Sequence, residues 1–131
     1  MPGRLLLDTS VVIDLLGGDA RIQQQVAAAA EVFLSTVVLG ELYYGAERSG
    51  RRDVVVAQVE ALAAAATVLP CDTGTARVYG RIKDRLRTKG RPLPENDIWI
   101  AAVALQHDLA LAARDAHFLE IDGLTLQTAA S

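Results

Sequence analysis

The sequence has 131 residues, of which 51% are hydrophobic, with a mean hydropathy of +0.24 and a formal net charge of −3. Charged residues interrupt every apolar stretch before it reaches the roughly 18 to 20 residues that cross a bilayer, so we predict a soluble protein with no membrane partner. The N-terminal MPGRLLLDTS lacks the long apolar region of a secretory signal, which favours a cytoplasmic location, and the single Cys71 excludes an intramolecular disulfide and a multi-cysteine zinc site.

The first elements are predicted from a short apolar run and the helical stretch behind it. RLLLD, at 4–8, is typical of a strand buried on both faces of a parallel sheet. TSVVIDLLGG predicts a helix, with Thr9 or Ser10 as its cap and Gly17–Gly18 as its end. The chain therefore begins with a strand that leads directly into a helix.

The same order recurs along the rest of the chain. Asp72 or Thr73 is predicted to cap a long basic helix that ends near Lys89–Gly90, and Asn96 to cap the helix after the proline-marked loop RPLPEN. The remaining predicted helices cover 20–30, the VVLGELYYGAER stretch, 53–66 and 97 to about 108, and the remaining strands are EVFLST, 67–69, LALAA and LTLQT.

Strands that alternate with helices over such short connections favour an α/β fold. We predict a single domain over 1–131, with a central, mostly parallel sheet of four to five strands between two layers of helices. Such a three-layer α/β/α arrangement binds its ligands outside the carboxyl ends of the strands.

Four acidic residues are predicted to meet at that edge of the sheet. Asp8 ends the first strand and Asp115 follows LALAA, so their carboxylates emerge together if the two strands are neighbours. Asp97 lies in the first turn of its helix, and Glu41 lies among apolar residues of another helix. Converging carboxylates repel one another unless a cation neutralises them, and ligation by oxygen alone suits Mg²⁺ or Mn²⁺. A metal site of this kind is suited to phosphodiester hydrolysis.

Basic residues are concentrated in two places although the protein is acidic overall. Arg48, Arg51 and Arg52 form one cluster, and seven of the thirteen basic residues fall within residues 77–91. These clusters are suited to contact the phosphates of a polyanionic substrate, or they form the exposed face of a solvated helix. The members of the second cluster are Arg77, Arg81, Lys83, Arg85, Arg87, Lys89 and Arg91.

The segments LLLDTS, LGELYYGAERSG, NDIWIAA and LAARDAHFLEIDGL closely resemble PIN-domain ribonucleases and, within them, the VapC toxins of bacterial toxin–antitoxin pairs. The resemblance covers nearly the whole chain. It implies a metal-dependent endoribonuclease that cleaves a folded RNA and so inhibits translation, with a PIN-like fold.

The resemblance also implies roles for individual residues. Asp8, Glu41, Asp97 and Asp115 match the acidic quartet around Mg²⁺ or Mn²⁺, and Glu41 is expected to complete the site or to orient the attacking water. One departure from the motif is Ala113, where many relatives have Thr or Ser. Thr9 or Ser10 is expected to support the metal shell, and Arg114 to contact a phosphate. His117 is expected to have a structural role, and Phe118 to lie in the core.

Family members are held inactive by an antitoxin whose C-terminal segment crosses a groove and pushes a basic side chain into the acidic site. The resemblance therefore implies a cognate VapB-type antitoxin and a homodimer with two active sites along one basic face. The groove candidates are Val12, Leu15, Leu16, Leu42, Tyr43 and Tyr44. RNA contacts are assigned to Arg81, Arg85, Arg87 and Arg114.

Other classes of α/β protein also place functional residues just after the first strand. A haloacid-dehalogenase-type phosphatase needs a second aspartate where this chain has Ser10. A receiver domain needs paired acids at the end of the first strand, where this chain has only Asp8. A dinucleotide-binding protein is excluded because no G-x-G-x-x-G follows that strand. The remaining alternative is a PIN fold that binds RNA or a protein without cutting. The sequence does not reveal which RNA is the target, because RNA is recognised largely through shape and loops.

Overall fold

The computed structural model describes residues 3–128, and within them a five-stranded sheet carries helices on both of its faces. All strand pairs are parallel, in the order β3-β2-β1-β4-β5. The predicted three-layer α/β/α class is confirmed. The strands are β1 Arg4–Leu7, β2 Glu31–Ser35, β3 Thr67–Leu69, β4 Ala110–Ala113 and β5 Leu126–Thr128. The helices are α1 Thr9–Leu16, α2 Ala20–Ala28, α3 Thr36–Arg48, α4 Arg52–Ala65, α5 Thr73–Lys89, α6 Glu95–Gln106 and a 3₁₀ helix Ala116–Glu120.

Strand β1 lies at the centre of the sheet, between β2 and β4. Leu5, Leu6 and Leu7 are each at most 1% exposed, as expected of a parallel strand covered by helices on both faces. Leu5 pairs with Val32 of β2 on one side and with Ala110 of β4 on the other. The expected neighbourhood of β1 and β4 is therefore confirmed, and it brings the residues that follow the two strands to one edge.

Helix α6 is the most deeply buried helix of the described chain. Five consecutive residues from Ile100 to Ala104 are fully buried, and Ile98 is 2% exposed. A helix that is apolar on all sides must be covered on all sides, and α6 packs against both α5 and the sheet. Its N-terminus therefore has a fixed place relative to β1 and β4.

Two helix caps differ from the sequence-based expectation. The N-cap of α1 is Asp8, and neither Thr9 nor Ser10 caps it. Helix α6 begins at Glu95 after Pro94, so Asn96 lies inside the first turn and does not cap the helix. The side chains of Thr9 and Asn96 instead donate to Glu41, and that of Ser10 donates to Asp8. These hydrogen bonds compete with local capping.

The described part of the chain contains no helix that combines the length and the apolar character needed to span a membrane.

Candidate active site

The four acids predicted from the sequence line one open cleft of about 520 Å³ at the carboxyl edge of the sheet. Asp8 follows β1 directly, and its backbone N–H continues the β1–β4 ladder by donating to Ala112 O at 2.9 Å. Asp115 follows β4 at the same edge. Glu41 reaches the cleft from the second turn of α3, and Asp97 from the first turn of α6. The cleft is completed by Thr9, Ser10, Ile13, Arg114, His117 and Phe118.

The carboxylates lie close enough to perturb one another. Burial raises the pKa of Asp8 from 3.8 to about 6, and the charges of Asp97 and Glu41 act in the same direction, against hydrogen bonds from the Thr9 backbone and the Ser10 hydroxyl. Burial also raises the pKa of Asp97, where the nearby His117 opposes the shift and the charges of Glu41 and Asp115 add to it. Negative charge is thus concentrated around two partly buried carboxylates, which favours a bound cation.

The Glu41 carboxylate is held at both of its oxygens. The Thr9 hydroxyl donates to Oε1 at 2.7 Å, and the Asn96 amide donates to Oε2 at 2.6 Å. The hydroxyl of Ser10 donates to Asp8 Oδ2 at 3.3 Å. Thr9 and Ser10, predicted to support the site, therefore do touch two of its acids.

His117 lies between the other two acids. Its Nε2 is 3.0 Å from Asp97 Oδ2, and its Nδ1 is 3.0 Å from Asp115 Oδ2. Asp115 also accepts a hydrogen bond from the His117 backbone N–H and so caps the 3₁₀ helix. Among residues 3–128, no three His, Cys, Asp or Glu side chains are arranged to hold a metal ion as they stand. Each of the four acids contacts other protein groups instead.

Arg114, which lines the cleft, is engaged with acids behind it. Its guanidinium contacts Asp14 near the end of α1, and its Nη2 lies 3.7 Å from Asp19, the N-cap of α2. These ion pairs join the loop after β4 to the turn between α1 and α2. These ion pairs occupy the Arg114 side chain, for which the family resemblance implies a contact with substrate phosphate.

The basic residues of α5 lie outside the acidic cleft. Arg81 and Arg85 line a separate cleft of about 300 Å³, which α5 forms with Glu120 and Asp122. Arg87 lies on the other flank of the helix, beside an apolar cleft of about 330 Å³. The basic residues thus flank the buried stripe of α5 on two sides, with all three guanidinium groups exposed.

The groove candidates divide into two groups. Val12 and Leu42 belong to the core, so they are not groove residues. Tyr44 is 66% exposed, and Leu15, Leu16 and Tyr43 are half-buried at the edge of the core. Ile13, which was not among the candidates, is 58% exposed and lines the acidic cleft.

Sequence reasoning missed two residues that touch the acids. The sequence predicts Asn96 only as a cap, although its position next to Asp97 is a signal that it reaches the same cleft. It predicts a structural role for His117, whose spacing of two from Asp115 is a signal that it touches this acid. Its contact with Asp97 depends on how α6 and the 3₁₀ helix pack together.

Comparison with known proteins identifies the family. A PIN-domain family model matches residues 5–124. Ribonuclease VapC5 of Mycobacterium tuberculosis is 32% identical over 93% of this chain and 90% of its own length, and ribonuclease VapC2 of Haemophilus influenzae is 32% identical over 86% of each. The chain belongs to the PIN-domain family, among relatives named VapC ribonucleases, which confirms the resemblance. The solved structure of DNA-bound VapBC from Salmonella typhimurium is similar with a TM-score of 0.91 at 28% identity, covering 99% of this chain and 100% of that chain.

Proposed function

We propose that this protein is the toxin of a toxin–antitoxin pair and acts as a Mg²⁺- or Mn²⁺-dependent endoribonuclease that inhibits translation. The observation that carries the proposal is the convergence of Asp8, Glu41, Asp97 and Asp115 on one cleft, with the pKa of two of them raised. The ribonuclease names of its relatives agree with it. A PIN fold that binds RNA or protein without cutting is disfavoured, because binding alone does not require four neighbouring carboxylates, whose partial burial is costly.

The residues of the cleft fit a hard divalent cation. The donors are carboxylate and hydroxyl oxygens, which suit Mg²⁺ or Mn²⁺ better than zinc. Asp8, Asp97 and Asp115 would hold the ion. A bound ion supplies Lewis acidity toward water and phosphate oxygens. Glu41, held by the neutral donors Thr9 and Asn96, would orient the attacking water.

The RNA is proposed to reach the cleft through contacts with cationic side chains outside it. Arg81, Arg85 and Arg87 are exposed on α5 and are suited to phosphate oxygens. Arg114 contributes only if its ion pairs with Asp14 and Asp19 open. The acidic cleft itself repels RNA until a cation is bound, so these side chains supply the initial attraction.

The test of the ribonuclease is direct. The purified protein, freed of antitoxin, is incubated with total cellular RNA and Mg²⁺ or Mn²⁺, and new 5′ ends are mapped beside Asp8→Ala. We expect discrete cuts that require the metal and vanish in the variant. Intact RNA with both metals, from a folded protein, would instead favour the binding module.

A cognate VapB-type antitoxin is the proposed partner, since solved relatives of this chain are named as VapBC complexes. The exposed Tyr44 and the half-buried Tyr43, Leu15 and Leu16 are the proposed apolar contact residues. Tyr44→Ala is expected to weaken antitoxin binding about tenfold or more, measured by calorimetry. Val54→Ala on α4, which also removes an exposed apolar side chain, is the matched control and should leave the affinity unchanged.

A homodimer is proposed as the assembly, with two active sites along one basic face. Sedimentation of the antitoxin-free protein tests it, because a monomer at micromolar concentration would contradict the proposal.

A further inference from the structure

Asn96 makes one of the two hydrogen bonds that hold Glu41. Its amide donates to Oε2 at 2.6 Å, while the Thr9 hydroxyl donates to Oε1 at 2.7 Å. The two donors stand 32 and 55 residues from Glu41 in the sequence, in the first turns of α1 and α6. Three helices therefore meet at one carboxylate.

Glu41 needs such support because of where it lies. A glutamate side chain has three rotatable bonds, and the negative charges of Asp8 and Asp97 act on Glu41 from the same cleft. Repulsion drives a free carboxylate away from its neighbours and toward solvent. Donors that carry no charge hold it in place without cancelling the negative charge that attracts a cation. A lysine or arginine at either position would cancel it.

The local structure of α6 gives no other reason for an asparagine at this position. The helix begins at Glu95, and the N–H groups of Asp97 and Ile98 already donate to Pro94 O. Asparagine inside a helix is less favourable than most residues. The side chain is half-buried and its amide is directed at Glu41, so its use lies in the cleft.

We propose that Asn96 is a positioning residue of the ribonuclease, which, with Thr9, fixes the Glu41 carboxylate in the acidic cleft without neutralising it. The inference rests on the proposed function, because it assigns Asn96 a role in that reaction. Asn96 acts through Glu41 and needs no contact with the RNA. Its loss should therefore reduce turnover more than substrate binding.

The experiment is a double-mutant cycle on a short RNA that contains the mapped cleavage site. We expect Asn96→Ala to lower kcat about 10- to 100-fold with KM within about twofold, as for other residues that orient a metal site. In a Glu41→Gln background the same substitution should cost at most about twofold. An unchanged kcat in the single variant, or a full additional loss in the double variant, would overturn the proposal.

A second variant separates positioning from folding. Asn96→Asp keeps the shape of the side chain but replaces the donor with a negative charge against Glu41, while an acid in the first turn favours the helix. We expect kcat to fall at least as far as in Asn96→Ala, while circular dichroism shows both variants fully folded at the assay temperature. A parallel loss of kcat and melting temperature in both variants would indicate a structural role only.

The matched control is Glu95→Ala in the same turn. Its carboxylate contacts Lys83 at 2.8 Å and Tyr79, away from the acidic cleft. We expect kcat within about twofold of the wild-type value, and a loss as large as that of Asn96→Ala would refute the specific role of Asn96.

A readout without RNA keeps the two proposals apart. Mn²⁺ binding to the RNA-free protein is measured by calorimetry, and Asn96→Ala is expected to weaken it about tenfold or more. If the wild-type protein cuts no RNA, the proposed ribonuclease fails while this measurement still tests Asn96. If the wild-type protein cuts RNA, Asp8→Ala does not, and Asn96→Ala matches the wild type in both kcat and Mn²⁺ affinity, only the inference fails.

Discussion

Asp8 carries the largest electrostatic cost in the cleft. Burial raises its pKa from 3.8 to about 6, so the folded protein binds this proton more tightly than the unfolded chain does. The free energy of unfolding of the metal-free protein therefore falls as the pH rises from about 4 to about 6, and the loss is complete above that range. A rise of this size corresponds to at most about 3 kcal/mol.

Asp8→Asn is expected to stabilise the metal-free protein at pH 7 by about 1–3 kcal/mol while abolishing RNA cleavage. The gain should shrink toward zero as the pH falls below 3.8, where Asp8 becomes mostly protonated in both states. Urea unfolding of both proteins at pH 7 and pH 3.5 measures the difference. Asp84→Asn on the exposed surface of α5 is the control, and an Asp8→Asn variant less stable than it at pH 7 would contradict the burial argument.

Helix α5 offers a prediction at the scale of one element, because Gly80 lies in its middle and Gly90 at its C-terminal end. Gly90 ends the helix with φ +71°, where a side chain is strained, whereas a Cβ at Gly80 meets open space within 4 Å. Gly90→Ala should lower the free energy of unfolding by about 1 kcal/mol, and Gly80→Ala should raise it by about the same amount. Urea midpoints with equal slopes measure both changes, and shifts in the same direction would refute the assignment of the helix end.

The elements also show what the sequence can and cannot predict. Strand β1 and the end of α5 were predictable, because an unbroken apolar run and a terminal glycine each have one local meaning. The 3₁₀ helix Ala116–Glu120 was not predicted, since it depends on a local cap by Asp115 that resembles a plain turn. The sequence predicts Asn96 as a cap, which is wrong because its side chain donates to the distant Glu41 instead. The convergence of the four acids could be predicted from the alternation of strands and helices, and their metal ligation remains a proposal.

At the scale of the whole molecule, charge is separated between an acidic cleft and a basic helix although the net charge is only −3. Arg81 and Arg85 are exposed on α5 and line a cleft separate from the acids, so their contribution to RNA binding should be electrostatic and independent of chemistry. Arg52 is a suitable comparison, because Glu47 at 2.6 Å and Asp53 at 3.0 Å already neutralise it.

We expect Arg81→Ala and Arg85→Ala each to flatten the dependence of log KM on log salt concentration by about 0.7–0.9, the value for one lost phosphate contact. The kcat at saturating RNA should stay within about twofold, because neither side chain reaches the acids. Cleavage of the mapped RNA at 50, 100 and 200 mM KCl measures the slope, with Arg52→Ala expected to match the wild type. A slope that changes in Arg52→Ala and not in the two α5 variants would place the RNA path on the other basic cluster, at the start of α4.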